Sequence, residues 1–307
     1  MLVVLLTGLC ALAVIYAFNA GVSERPGLDG EFGERDLQEE GVSLSRDIGQ
    51  PADQADEAKT PLSPDVTLAE SADLAQVLAI VMDDCGGNME LAKRVLSLDL
   101  PITWAIIPNL RFSSETASLL SESGVPFLIH VPMQAISDPD GKAGDPRQYY
   151  IGTGMNDVAV RNALSPLLDS LPGAYGVNNH RGSKATEDRE LMDSVMSVLL
   201  ERGLFFMDSN TSKRTVAYEA ALDMGLAAAK NSRFLDNESD RAKISEQIDK
   251  AVSSVKKGKK SRRVAICHLR PETVAALETL SLDDIAKKGV QLVTLPQLME
   301  LEELSDE

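Results

Sequence analysis

Apolar stretches of strand length recur along the chain from Gln76 onward, and amphipathic segments separate them. The strong stretches cover residues 77–84, 102–108, 126–133, 174–180, 204–210, 263–269 and 290–295, with a weaker one at 225–236. Apolar residues follow one another in these stretches, which indicates strands buried on both faces of a parallel sheet. The segments between them, such as "DRELMDSVMSVLLERG", have the spacing of amphipathic helices. The pattern predicts an α/β fold over residues 76–307: a distorted (β/α) barrel of seven to eight parallel strands.

Residues 2–18 form a different kind of apolar segment, because they are almost continuously hydrophobic and carry no charge. As a helix they would extend roughly 25 Å, slightly less than the ~30 Å hydrocarbon core of a bilayer. That length suits a membrane anchor or the apolar part of a secretory signal, although no Lys or Arg precedes it. We expect residues 1–20 to be an uncleaved anchor and the remainder to be exported, either to the periplasm or as a domain anchored to the inner membrane and lying outside the cytoplasm. A buried core helix is the weaker alternative.

The next segment, residues 21–75, is acidic and is interrupted repeatedly by Gly and Pro. It carries 14 acidic side chains against four basic ones. Such a composition cannot bury enough apolar surface to offset chain entropy, so a disordered linker is predicted here. The formal net charge of the whole chain is −17, which argues against nucleic acid as a partner, since binding to phosphates requires a basic face.

Ionisable residues stand at the ends of five of the predicted strands. They are Asp83, Asp84, His130, His180, Asp208 and His268, and they include all three histidines of the chain. Because the carboxyl ends of parallel strands lie at one edge of a sheet, we expect these side chains to share one site. Two imidazoles and a carboxylate are common ligands of a catalytic divalent ion, and the remaining groups can transfer protons. The alternatives are helix caps for the aspartates and satisfied core positions for the histidines.

Six strings of the sequence together resemble the divergent polysaccharide deacetylase family, a distant relative of the nodulation-type chitooligosaccharide deacetylases. In chain order they are "AIVMDDCGGN", "PFLIHVPMQ", "PGAYGVNNHRGS", "RGLFFMDSNT", "RFLDN" and "AICHLRPET". The resemblance covers roughly residues 76 to 300, and its most specific parts are "NNHRGS" and "FMDS". It implies a distorted (β/α) barrel, a divalent metal that is usually zinc, and hydrolysis of N-acetyl groups on an amino-sugar polysaccharide.

The resemblance also implies a role for each residue at the strand ends. Asp83 resembles the general base, and His268 resembles the acid that protonates the leaving amine. Asp208, within "FFMDSN", is predicted to be a further catalytic residue, with a helix cap as the alternative. The residues that resemble the metal ligands are Asp84, His130 and His180.

Three residues depart from the pattern of the family. The better-known deacetylases have two histidines four residues apart, whereas His130 is followed at that spacing by Gln134. An amide is a poor zinc ligand, so either His180 completes the ligand set or the site is weak. Gln134 also begins the longest irregular stretch, residues 134–154, which predicts a loop beside the site. Cys85 and Cys267 could form a disulfide, supply a metal ligand or pack as small apolar residues, and packing is the expectation.

The apolar segment predicts an exported protein, and the family resemblance implies a metal-dependent hydrolase of amide bonds, usually with zinc, that acts on an amino-sugar polysaccharide. One alternative keeps the metal and changes the substrate to another amide or ester of the cell envelope. A second alternative, which Gln134 favours, is an inactive relative that binds a glycan or an envelope protein. Trp104 is the only tryptophan, which leaves few aromatic rings for stacking on sugars.

Overall fold

The computed structural model describes residues 76–140, 150–255 and 261–306. The predicted anchor at residues 1–20 and the predicted acidic linker at residues 21–75 lie outside these ranges, as does the middle of the loop predicted at 134–154. Among the helices of the described ranges, none is long and apolar enough to cross a membrane.

Nine parallel strands form a single sheet in the described part of the chain. They are β1 (Gln76–Cys85), β2 (Ile102–Ile106), β3 (Phe127–Met133), β4 (Gly176–Arg181), β5 (Phe205–Asp208), β6 (Ala228–Lys230), β7 (Arg233–Phe234), β8 (Ser261–His268) and β9 (Gln291–Val293). Their order is β6-β5-β4-β3-β2-β1-β8-β7. One edge of β1 pairs with β8, and the other edge is shared by β9 at residues 77–79 and β2 at residues 80–85. The predicted α/β class and barrel-like parallel sheet are confirmed.

Helices connect most of these strands, and all of them except the last cover the convex side of the sheet. They are α1 (Met89–Leu96), α2 (Ser113–Glu122), α3 (Asp157–Ser170), α4 (Arg189–Glu201), α5 (Ala217–Asp223), α6 (Arg241–Ser254), α7 (Pro271–Leu277), α8 (Leu282–Lys287) and α9 (Leu295–Asp306). The side chains of Asn88, Asn156, Asp188 and Asp240 accept hydrogen bonds from backbone N–H groups three residues later. Each of these residues satisfies an otherwise unpaired donor, and so fixes where a helix begins.

Alternate residues of each strand contribute to two separate cores. On β1, even-numbered residues 78–82 belong to the larger core, which the helices α1–α8 complete. Odd-numbered residues 77–81 belong to the smaller core on the concave side, which α9 fills with Leu295, Leu298 and Met299. A residue at the end of a strand therefore reaches the mouth of the concave side only if it continues the alternate positions of that strand that face the concave core.

The sheet curls into a barrel that is not closed. The weak apolar stretch at 225–236 is divided between β6 and β7, which are separated by Asn231 and Ser232. These two short strands are the ends of the strand order, and no described residue pairs one with the other. The backbone N–H of Asn231 bonds to β5 and that of Ser232 to β8, so the chain crosses between the two ends of the sheet here. We call this break between β6 and β7 the seam.

Candidate metal centre

The end of β1 carries two adjacent aspartates, and a local irregularity aims both at the same place. In a regular strand, neighbouring side chains point to opposite faces. Here the register with β2 shifts between Met82 and Cys85, and Asp84 has a positive φ of 61°. Aspartate tolerates this left-handed conformation better than most residues. Asp83 continues the concave series of β1, and the bulge rotates the Asp84 carboxylate toward the same side.

Three side chains from three strands converge beyond this bulge. Asp84 at the end of β1, His130 on β3 and His180 on β4 each offer a ligand atom, and these atoms all lie within 4.8 Å of one another. Asp84 Oδ1 lies 2.9 Å from His180 Nδ1 and 3.4 Å from His130 Nε2, and the two ring nitrogens are 3.1 Å apart. His130 is buried, whereas the side chains of Asp84 and His180 are 30% and 21% exposed, so the group is reached from one side.

The chemistry of this group fits a divalent transition metal. Asp84 Oδ1 is a buried oxygen without a hydrogen bond, and it faces two ring nitrogens. Burial raises the pKa of the Asp84 carboxyl, but the adjacent imidazoles outweigh it and hold that pKa well below its usual range. Burial lowers the pKa of His180, which favours the neutral imidazole that binds metals. One carboxylate and two imidazoles form a donor set common for zinc, with positions left open for water or substrate.

Asn178 holds His130 in the orientation that this group requires. Its Oδ1 lies 2.8 Å from His130 Nδ1, and its Nδ2 donates to Asp83 Oδ1 at 2.8 Å. Because the amide oxygen can only accept, Nδ1 of His130 carries the proton and Nε2 is left facing Asp84 and His180. Asn178 stands two residues before His180 on β4, so both side chains continue the concave series. Asn178 lies in the quoted string "NNHRGS" but was not among the predicted site residues.

Asp83 lies beside the group and does not belong to it. Its side chain is buried, and its Oδ2 is 3.6 Å from His130 Nε2. Burial raises the pKa of Asp83, and the nearby imidazoles of His130 and His268 only partly oppose this effect. A buried carboxylate with a raised pKa is suited to accept a proton near neutral pH.

His268, at the end of β8, is paired with an aspartate that the sequence analysis did not select. Its Nδ1 lies 2.7 Å from Asp236 Oδ1, and its backbone N–H donates to Asp236 Oδ2 at 2.8 Å. Thr273 Oγ1 donates to the same carboxylate at 2.7 Å. Burial lowers the pKa of His268, but the bond and the charge of Asp236 outweigh it, so the net pKa is raised. Asp236 ends the weak stretch at 225–236 within the quoted string "RFLDN", and its position at a strand exit was the available signal.

Asp208 is the one predicted site residue that does not face the concave side, so it lies apart from Asp84, His130 and His180. Phe206 belongs to the helix-facing core and Met207 to the concave core, so Asp208 is in register with the helix-facing series. Its Oδ2 accepts from Thr215 Oγ1 at 2.8 Å and its Oδ1 from the backbone of Asn210 at 2.7 Å. Among the described residues, these bonds shape the loop after β5, and no hydrogen bond or ion pair links Asp208 to the histidines. Its predicted catalytic role stays a prediction that the geometry does not support.

Gln134 is buried, and its amide is used outside the metal-ligand group. Its Oε1 accepts from the backbone and the hydroxyl of Thr153 at 2.9 and 3.0 Å, and its Nε2 donates to Asp140 at 2.8 Å. Its backbone carbonyl accepts from Lys184 and Ala185, in the loop after β4. Gln134 therefore ties both ends of the predicted 134–154 loop to β3, while His180 supplies the third donor of the ligand group.

The two cysteines that flank the strand ends are free thiols and lie in the helix-facing core. Both are fully buried, and burial raises the pKa of each thiol well above its ordinary value. Neither belongs to the Asp84, His130 and His180 group. Of the three possibilities left open for Cys85 and Cys267, the structure shows packing.

The fold and the site define a protein of the polysaccharide deacetylase class, and the sequence comparison agrees. The chain belongs to the divergent polysaccharide deacetylase family, whose profile matches residues 80–299. The predicted resemblance is thus confirmed.

Relatives of known sequence or structure span most of the described domain. An uncharacterized protein of Haemophilus influenzae is 32% identical over 201 residues, which cover 66% of this chain and 69% of that protein. The uncharacterized protein YibQ of Escherichia coli is 31% identical over 229 residues, covering 73% of this chain and 70% of YibQ. A crystal structure of an uncharacterized protein from Agrobacterium tumefaciens shares the fold, with a TM-score of 0.65 at 18% identity, covering 73% of this chain and 89% of that one.

Proposed function

We propose that this protein is a zinc-dependent hydrolase that removes N-acetyl groups from an amino-sugar polysaccharide of the cell envelope. The observation that carries the proposal is the convergence of Asp84, His130 and His180 within 4.8 Å, with Asp83 and His268 beside them. Membership of the divergent polysaccharide deacetylase family supports the substrate class. The location outside the cytoplasm rests on the apolar segment at residues 2–18 and is part of the proposal.

Asp84, His130 and His180 would hold the metal through Oδ1, Nε2 and Nδ1. A divalent cation bound there supplies a Lewis acid that polarises the acyl carbonyl and makes water more acidic. The partial exposure of Asp84 and His180 leaves room for an acetamido group on the solvent side. Asn178 keeps Nε2 of His130 aimed at the site, because it occupies the other ring nitrogen.

In this proposal Asp83 removes a proton from the attacking water. Its carboxylate is held by Asn178 Nδ2 at 2.8 Å, and burial raises its pKa toward the range in which a base works at neutral pH.

In this proposal His268 protonates the departing amine. Because the Nδ1–H group of the imidazolium donates a hydrogen bond to Asp236, the proton on Nε2 is the one that His268 can transfer. Asp83 and His268 are register partners on adjacent strands, so base and acid stand side by side at the same edge. The cleaved bond is the C–N bond of the amide, and the products are acetate and a free amine.

The test begins with metal content of the full chain, measured by elemental analysis after incubation with zinc and dialysis. Asp84→Asn and His180→Ala are the site variants; asparagine also tolerates the left-handed backbone at position 84. Asp208→Asn is the matched control, because Asp208 is a buried aspartate at a strand end outside the ligand group. We expect near-stoichiometric zinc in the parent and in the control, and loss in both site variants.

Acetate release from N-acetylated chitooligosaccharides then tests the reaction. We expect release by the parent that is abolished by chelation and restored by zinc. A parent protein that takes up no zinc would refute the hydrolase mechanism and would favour the inactive binding relative. Zinc binding without acetate release from any amino-sugar polymer would refute the substrate, and would favour another amide or ester of the envelope.

A further inference from the structure

A cavity opens at the seam, away from the metal-ligand group but on the same edge of the sheet. Its volume is about 410 Å³, within the range of ~300–1,000 Å³ of pockets that bind small molecules. It lies at the carboxyl ends of β5, β6 and β7 and beside α6. We call it the seam cavity, and its lining includes Asn210, Asn231, Arg233, Phe234, Lys243 and Gln247.

The seam cavity is connected to the proposed catalytic acid by one short segment. The ring of Phe234 stacks on the imidazole of His268, with centroids 6.1 Å apart and planes 8° from parallel. Asp236, two residues later, is the partner of His268. One side of this segment therefore lines the cavity, and the same segment positions the residue proposed to protonate the leaving amine. Phe234 is thus the lining residue through which the cavity adjoins His268.

The charge of the seam cavity favours an anion. Arg233 donates one hydrogen bond from Nη1 to Gln247 Oε1 at 2.7 Å, and within the described ranges its guanidinium has no carboxylate partner. Lys243, the other cation of the lining, is paired with Glu238. A guanidinium has five N–H donors in a planar fork that matches the two oxygens of a carboxylate. Arg233 is therefore the cavity's available cation, in a protein whose net charge is −17.

We propose that the seam cavity binds a carboxylate-bearing sugar unit of the polysaccharide on which the metal centre acts. Arg233 pairs with the carboxylate, the exposed surface of Phe234 covers an apolar side of the sugar ring, and the amides of the lining bond to hydroxyl groups. This inference rests on the proposed function for the identity of the polymer. Two sources share the chemistry: a uronic acid, with the carboxylate on the ring, and an amino sugar that carries it on an ether-linked side chain.

The experiment measures binding alone, on the full chain with metal removed by chelation, so that its result does not depend on hydrolysis. The probes are glucuronic acid and N-acetylmuramic acid, each compared with its neutral counterpart, glucose or N-acetylglucosamine. Affinities come from chemical-shift titration at low salt. We expect at least one acid to bind about tenfold more tightly than its neutral counterpart, the ratio that one charged hydrogen-bonded pair provides. Which acid binds identifies the source.

Three variants locate the binding. Arg233→Gln is expected to remove the tenfold preference, and Arg233→Lys to keep part of it, because lysine keeps the charge and loses the fork. Lys250→Gln is the control and should leave the preference unchanged, since Lys250 lies on α6 outside the lining and pairs with Glu246. Thermal melting of each variant excludes a folding defect. Equal affinity for acids and neutral sugars, or a preference that survives in Arg233→Gln, would overturn the proposal. Failure of the proposed function would show separately, as a protein without zinc or acetate release.

Discussion

Replacing Gln134 by methionine separates two explanations for the amide at this position. Methionine is close to glutamine in length and shape, but it has neither the acceptor that Thr153 uses nor the donor that Asp140 uses. The backbone bonds of residue 134 to Ile151, Lys184 and Ala185 do not depend on its side chain, so the loop remains attached. The variant therefore tests whether the Gln134 amide supports the loop or the metal.

The expected loss of stability follows from which bonds are buried. Asp140 is 78% exposed and also pairs with Lys184, so water readily replaces its bond to Gln134. The two bonds from Thr153 end on a buried oxygen, and each contributes about 1 kcal/mol. The free energy of unfolding should fall by about 2 kcal/mol. With a urea dependence of about 3 kcal/mol per molar for a domain of this size, the midpoint should fall by roughly 0.7 M.

The assay is urea unfolding followed by circular dichroism, with metal chelated so that zinc does not add to the stability of one variant only. Zinc content is measured separately after dialysis. Gln134→Met should unfold at lower urea and retain zinc, whereas His180→Ala should lose zinc. If Gln134→Met lost zinc to the same extent as His180→Ala, the amide would be acting as a ligand. An unchanged midpoint would show that the bonds to Thr153 do not stabilise the loop.

Three further predictions concern the surroundings of the site. Asp236→Asn removes the negative charge that raises the pKa of His268, so the pKa of His268 should fall and the alkaline limb of acetate release should move to lower pH. Nuclear magnetic resonance of the three histidines gives this pKa directly, and an unchanged value would contradict the pairing. Asn178→Ala frees the ring of His130 and should weaken zinc binding about 10–100-fold in a competition titration. Equal zinc affinity in the parent and the variant would show that other contacts hold the orientation of the His130 ring. Gly176→Ala places a Cβ 2.5 Å from a backbone carbonyl of β5. This overlap should lower the free energy of unfolding by about 1–3 kcal/mol. A variant as stable as the parent would mean that β4 and β5 can separate at no cost.

The sequence could predict the sheet and the residues at its edge, because a parallel sheet leaves two strong signals. Its strands are apolar at consecutive positions, and its functional residues follow the strand ends. His130, His180 and Asp84 were selected in this way, and the structure places them together. The anchor and linker predictions lie outside the described residues and stay predictions.

The direction of each side chain could not be predicted, because the strands are apolar at consecutive positions. In a strand that is apolar on both faces, nothing in the pattern shows which series of residues faces the concave side. Asp208 therefore looked equivalent to His268, although its register places it on the helix side. Asp236 was missed because the strand before it is only two residues long and gives almost no periodic signal. The bulge at Asp84, which joins both aspartates to one site, is a property of the backbone conformation.

Because α9 fills the concave face, the domain can finish folding only after nearly all of it has been synthesised. The inner residues of β1 are covered by side chains of α9, and the backbone N–H of Leu295 donates to Thr103 Oγ1, 192 residues earlier, at 2.8 Å. Contacts between such distant parts of a chain form slowly, so the apolar inner surface of β1 stays available to other chains meanwhile. A chain that stopped before α9 would leave that surface permanently exposed, and we expect it to aggregate rather than to form a slightly shortened domain.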